Sequence, residues 1–112
     1  MRFKIIFASV KSDITDKIVD AAKEAGATGA TIVPARGTGI HEAKTFFGLS
    51  LEVQTDIILF LLEEHLVPNV LETIGRVGEF DKPGTGIAFV LAVEQVMGLE
   101  SQIKEFKKTA GK

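Results

Sequence analysis

Two glycine-bearing segments hold the residue types best suited to chemistry in this chain. One is Arg36-Gly37-Thr38-Gly39; the other is Pro83-Gly84-Thr85-Gly86-Ile87, preceded by Asp81 and Lys82. A Gly-x-Gly at a strand end lets backbone N–H groups turn outward, and successive N–H groups of this kind form a concavity that binds anions. Each segment also has a plainer reading: a flexible hinge for the first, a hairpin-like turn before a strand for the second. Neither is a dinucleotide fingerprint, because no helix follows with a third glycine.

Between them, residues 37–54 show neither helical nor strand periodicity and carry His41, Glu42, Lys44, Thr45, Phe46, Phe47 and Ser50. His41 and Glu42 have the chemistry of a metal or acid–base pair, but an exposed polar loop base is the favoured explanation. With only His41 and His65 in the chain, a histidine-based metal site would need both, plus carboxylates. Phe46 and Phe47 beside Gly48 form an apolar tip, either pinned onto its own subunit or offered to a partner as an anchor. Catalytic constellations are missing. Ser9, Ser12, Ser50 and Ser101 have no histidine partner in the pattern, and no Gly-x-Ser-x-Gly occurs. Glu63-Glu64 and Asp13/Asp16 sit where solvated faces and caps belong. The expectation is a binding protein rather than an enzyme.

The elements that position these segments read as one unit written twice. Phe3–Val10 is a predicted strand, and Ser12 or Asp13 is a candidate cap for the helix that follows. Ile14, Ile18, Val19, Ala21, Ala22 and Ala25 then recur at helical spacing, with Gly26 as the stop. Thr28–Ala35 is the second predicted strand. Thr55–Glu63 begins the second copy and is apolar almost throughout, which implies burial on both faces. A helix with Val67, Val70, Leu71, Ile74 and Val77 inward follows; Pro68 is tolerated in its first turn and Gly78 ends it. Ile87–Val93 is the last strand. Residues 95–112 read as a tail in which 100–108 could form a short amphipathic helix.

The order βαββαβ predicts an α+β ferredoxin-like fold: a single domain over residues 1–112, with a four-stranded antiparallel sheet and two helices on one face. The open face would carry Val33, Ile58, Phe60, Phe89 or their alternates, too apolar for water. A homo-oligomer that buries it is expected.

Composition narrows the function classes. Hydrophobic residues make up 46% of the 112, enough for a core without staples. The absence of cysteine excludes disulfides, Cys-based zinc sites and thiol catalysis. A net charge of −2, with 13 basic and 15 acidic residues intermixed, offers no phosphate-tracking surface for nucleic acid. No run approaches the ~20 apolar residues of a membrane span, and no signal-peptide architecture opens the chain, so a soluble cytoplasmic domain is expected. The eight aromatic residues are all Phe.

Residues 26–31 (Gly-Ala-Thr-Gly-Ala-Thr), Arg36-Gly37-Thr38-Gly39 and residues 83–90 (Pro-Gly-Thr-Gly-Ile-Ala-Phe-Val), in this order and spacing, resemble the PII family of signal-transduction proteins, and especially its divergent PII-like branch. The resemblance covers roughly residues 3–99. It implies a homotrimer of ferredoxin-like subunits with an adenine-nucleotide site in each cleft between subunits. By position, Thr28 and Thr31 match the strand-two threonines, Gly37 and Gly39 the base of the long T-loop, and Gly84, Thr85 and Gly86 the B-loop of the neighbouring subunit. Ile87 stands where the family has a phosphate-binding lysine, and Val96 and Gly98 fall near a family pair of arginines. Each lost cation forfeits a charge-assisted hydrogen bond of about 1.5–3 kcal/mol. A weakly held ATP, a less charged ligand, or compensation by Arg36, Lys44 and Lys82 would each accommodate this. The shorter T-loop has no tyrosine to modify.

The ligand site expected from these readings comprises Thr28, Thr31, Arg36, Gly37, Thr38, Gly39, Gly84, Thr85, Gly86 and Ile87. His41, Glu42, Lys44, Phe46 and Phe47 would form the partner-binding loop. No cofactor is required; the effector expected is an adenine nucleotide (ATP, ADP or AMP), and the protein partner a membrane transporter or a nitrogen-metabolism enzyme. The alternative is a trimeric divalent-metal tolerance protein on the same fold, with His41, Glu42 and Asp56 as ligands. An acylphosphatase-like enzyme would want an arginine in a loop after the first strand, and Val10-Lys11-Ser12 supplies none.

Overall fold

The computed structural model describes residues 2–36 and 54–99, together with the backbone of residues 45–46 and 49–50. Strand β1 (Phe3–Lys11) leads through a 3-10 turn (Ser12–Ile14) into helix α1 (Thr15–Glu24), then β2 (Thr31–Ala35). Two short strands, β3 (Thr45–Phe46) and β4 (Leu49–Ser50), pair with each other. Strand β5 (Thr55–Glu63), a second 3-10 turn (Glu64–Leu66), helix α2 (Val67–Val77) and β6 (Gly86–Ala92) complete the chain's described elements. The large sheet is antiparallel in the order β2-β5-β1-β6. This is the ferredoxin-like arrangement expected from the element order. Among the described residues no helix is long and apolar enough to cross a membrane.

The doubling extends to detail. β1 and β5 are both nine residues long, and each is followed by a three-residue 3-10 turn entered from extended backbone at Lys11 and Glu63. Both helices also end alike. In α1 the Ala27 N–H donates to Ala22 O and the Gly26 N–H to Lys23 O; in α2 the Phe80 N–H donates to Gly75 O and the Glu79 N–H to Arg76 O. That is the Schellman pattern twice, with a positive φ at Gly26 (128°) and at Glu79 (55°). Gly78, the expected stop of α2, has an ordinary φ of −80°; the left-handed residue is the glutamate after it.

Alternation along the strands builds the core. Ile6, Ala8 and Val10 of β1 pair with Phe60, Ile58 and Asp56 of β5 on the helix-covered face. They pack with Ile18, Val19 and Ala22 of α1 and Val67, Val70 and Ile74 of α2. Ile58 and Phe60, two of the residues expected on the open face, are therefore fully buried beneath the helices. The open face takes their alternates: Ile57, Leu59 and Leu61, beside Ile5, Phe7, Val33, Phe89 and Leu91. Phe7 and Phe89 stack there at 4.6 Å between ring centroids. Val33, Leu61, Phe89 and Leu91 keep 38–48% of their surface exposed. Together they form an exposed apolar patch on the open face.

Strand and cap boundaries differ locally from expectation. β2 starts at Thr31 rather than Thr28, and β6 runs 86–92 rather than 87–93. Neither Ser12 nor Asp13 caps α1 with its side chain. The 3-10 turn separates them from the helix, and the Ser12 N–H instead donates to Gln54 O at 3.1 Å. Thr15, the first residue of α1, donates its hydroxyl to Asp56 Oδ2 at 2.6 Å; both residues are buried. The expected tail helix over 100–108 lies outside the described residues.

Candidate functional site

Strand register puts Arg36 and the Gly84–Ile87 segment at one end of the sheet. Ala35 of β2 lies opposite Thr55, Thr55 opposite Lys11, and Val10 opposite Gly86. Arg36 therefore leaves β2, and Gly86 enters β6, at the same end. They do so on the two outer strands, three strand spacings or roughly 14 Å apart. Gly84, Thr85, Gly86 and Ile87 are contiguous by sequence, and the fold adds Glu79 and Lys82 to them. Ile87 lies opposite Ser9 on the open face and is half-buried. Arg36 is exposed. Thr31 begins β2 opposite Leu59 and Thr28 precedes it, so both lie towards the other end of that strand from Arg36. Gly37, Thr38, Gly39, His41, Glu42, Lys44 and Phe47 lie outside the described residues, and only the backbone of Phe46 is described, in β3.

The turn between α2 and β6 is tied to itself. Glu79 O accepts the Lys82 N–H at 2.9 Å. The Thr85 hydroxyl lies 2.8 Å from Glu79 O and 2.9 Å from Lys82 O, so its one proton serves carbonyls of its own turn. Lys82 Nζ donates to Glu79 Oε1 at 2.6 Å. That hydrogen bond, and then the ammonium charge, lowers the Glu79 carboxyl pKa, and the same bond and carboxylate raise that of Lys82. Gly84 turns the chain with a φ of 82°.

Phe80 fixes the turn to the body. Its half-buried ring packs against the core between two glycines. A Cβ on Gly78 would fall 2.5 Å from Phe80 Cε1, and one on Gly86 would fall 2.7 Å from the same atom and 2.7 Å from Ser9 O. Gly86 is thus required for packing whatever else it does. Sequence reasoning missed Glu79 and Phe80; the available signal was a phenylalanine flanked by Gly78 and Gly86, too common a pattern to stand out.

The arrangement is a turn braced by its own hydrogen bonds, with one ammonium at its surface. Asp56, one suspected metal ligand, spends a carboxylate oxygen on Thr15 inside the core. Among the described residues no three His, Cys, Asp or Glu side chains converge where a metal ion could sit.

The family model for nitrogen regulatory protein P-II matches residues 3–102. The chain belongs to the P-II family. It is 27% identical over 103 residues to the nitrogen regulatory protein P-II of Rhodospirillum rubrum, an alignment covering 88% of this chain and 92% of that one. Two solved P-II structures share its fold. CPII of Thiomonas intermedia K12, bound to ADP, AMP and acetate, superposes with a TM-score of 0.69 at 22% identity, covering 88% of this chain and 93% of that one. Arabidopsis thaliana PII bound to citrate gives 0.69 at 23%, covering 89% and 85%.

Proposed function

We propose that this P-II protein is a non-enzymatic cytoplasmic sensor. A homotrimer would bind an adenine nucleotide between the Arg36 edge of one subunit and the residue 84–87 turn of the next. The observation that carries the reading is that Arg36 and Gly86 lie at one sheet end but on opposite outer strands. A head-to-tail ring sets the β2 edge of each subunit beside the β6 edge of its neighbour and closes the roughly 14 Å gap. The same closure would cover the apolar open face. The adenine nucleotides bound by the Thiomonas protein support the choice of ligand class.

The ligand would settle residues 37–54 into one conformation, and that loop, with His41, Glu42, Lys44, Phe46 and Phe47, would dock on a transporter or a nitrogen-metabolism enzyme. Such signalling is an order–disorder switch. Isothermal titration with ATP, ADP, AMP and cyclic AMP, at about 0.1 mM protein, tests it. At least one of them should release or take up heat with a stoichiometry near one per subunit. No heat with any of them removes the nucleotide, and sedimentation as a 12.1 kDa monomer removes the shared cleft.

A further inference from the structure

We propose that Thr15 and Asp56 are positioning residues for the Arg36 edge: their buried hydrogen bond fixes the first residues of β5, and through them the end of β2 that carries Arg36. That Arg36 serves a nucleotide rests on the reading above; the clamp on the strand end does not.

β2 depends on β5 for its place. It is an edge strand of five residues and, among the described strands, pairs only with β5. Its penultimate residue, Pro34, lies opposite Asp56 and has no N–H to give the ladder. Arg36 follows Ala35, which lies opposite Thr55. The first two residues of β5 therefore set where Arg36 leaves the sheet. Two bonds from the start of α1 hold this stretch in turn. The Ser12 N–H donates to Gln54 O at 3.1 Å, and the Thr15 hydroxyl donates to Asp56 Oδ2 at 2.6 Å. The second bond is short and charge-assisted, and it is buried, with Thr15 4% and Asp56 9% exposed.

The second copy of the unit shows that the side-chain bond is an addition to the fold. Thr15 begins α1 as Val67 begins α2, and Asp56 is second in β5 as Lys4 is second in β1. The Ser12 amide also has its counterpart: the Glu64 N–H donates to Arg2 O at 2.9 Å. The backbone bond thus closes the β1–β5 ladder at both ends, while the side-chain bond occurs at one. At the far end Val67 is buried without a hydroxyl, and Lys4 reaches Glu64 at 3.5 Å instead. Burying a carboxylate carries a desolvation cost that an apolar residue avoids. That cost is met only at the end where Arg36 and Gly86 lie. A directional bond there holds the strand end in one geometry, as a ligand-contacting side chain requires of its support.

The test follows amide hydrogen exchange of the full-length chain by NMR at the two equivalent amides, Ser12 and Glu64. Thr15→Val should speed exchange at Ser12 about tenfold relative to Glu64, and Thr15→Ser should restore it. A general loss of stability would speed both alike. Asp56→Asn, which keeps an acceptor but loses the charge, should change the ratio about threefold and serves if Thr15→Val does not fold. The Arg36 amide resonance should move in Thr15→Val and stay in Val67→Thr, which buries a hydroxyl at the equivalent place in α2. ATP should bind Thr15→Val about fivefold more weakly, with Thr15→Ser and Val67→Thr close to wild type. Melting curves show which variants are folded. Equal acceleration at Ser12 and Glu64, or an unmoved Arg36 resonance, overturns the proposal. If ATP binds Thr15→Val as tightly as wild type, the proposal falls while the nucleotide reading stands. If the wild-type chain takes up no ATP, the nucleotide reading falls, and the Ser12 and Arg36 readouts alone decide the clamp.

Discussion

Alanine at two glycines separates packing from conformational freedom, with opposite signs expected. Gly75 lies inside α2, and a Cβ built there meets nothing within 4 Å. Alanine at a helical site of this kind removes unfolded-state entropy and raises helix propensity, for a gain of about 0.5–1 kcal/mol. At Gly86 the Cβ would sit 2.7 Å from Ser9 O and 2.7 Å from the Phe80 ring. Ser9 belongs to β1, paired on both sides by β5 and β6, so its carbonyl cannot retreat. The ring cannot retreat towards α2 either, because Gly78 already lies against it. Overpacking between two fixed walls costs about 2–3 kcal/mol. The two variants should therefore differ by about 3 kcal/mol. Urea unfolding followed by far-UV circular dichroism measures this, since the chain has no Trp or Tyr to report by fluorescence. Protein concentration is held constant because subunit association would otherwise shift the midpoint. Gly86→Ala as stable as wild type, or Gly75→Ala the less stable of the two, would refute the reasoning.

Four further outcomes follow from the same structure. Thr15→Val removes the hydroxyl that donates to buried Asp56 Oδ2 and should cost about 1.5–3 kcal/mol in the same unfolding assay, with Thr15→Ser close to wild type. Phe89→Asp breaks the stack with Phe7 and sets a charge on the open apolar face; sedimentation should show subunit affinity reduced by about two to three decades. Glu79→Gly relieves the left-handed backbone and should raise the melting temperature by about 3 °C even though the Lys82 contact is lost. The Glu79–Lys82 tie should be fully present at neutral pH: the glutamate's pKa is lowered, so its share is lost only as pH falls below the ordinary glutamate range, and the lysine's pKa is raised, so its share is lost only as pH rises above the ordinary lysine range. A pH series of NMR spectra on the Lys82 side chain checks both limits.

Where local pattern and burial agreed, the fold was legible in advance. The apolar run at 55–63 matches β5 residue for residue, and the helical stripe of Val67, Val70 and Ile74 is the buried face of α2. What the pattern could not say was which alternate set of β5 faced the helices. A strand apolar on both sides has no internal marker of face, and Ile58 and Phe60 went under the helices because Ala8 and Ile6 lie opposite them. The cap of α1 was illegible for a different reason: the Ser12 amide is committed to Gln54, a partner distant in sequence. At the site, the glycines of 84–86 were visible as a turn, whereas the Lys82–Glu79 contact depends on a left-handed glutamate that no local rule favours. Gly37–Gly39 were read from their Gly-x-Gly spacing and the apolar tip at 46–47 from residue type.

The two helix ends, compared directly, isolate what the Glu79 side chain adds to stability. Equivalent Schellman motifs close α1 and α2, and the position that needs a positive φ holds glycine in the first copy and glutamate in the second. A non-glycine residue in the left-handed region costs on the order of 1 kcal/mol. Such strain persists where the surroundings over-determine it. Here they do: Glu79 O takes the Lys82 amide and the Thr85 hydroxyl, and the Glu79 carboxylate takes the Lys82 ammonium. Glycine at 79 could keep every one of those bonds except the last. The side chain therefore contributes only its hold on Lys82, and a contact between two mostly exposed groups adds little to stability. A costly backbone carrying a weakly stabilising surface contact leaves glutamate without a stability advantage over glycine here, which is why Glu79→Gly should raise the melting temperature rather than lower it.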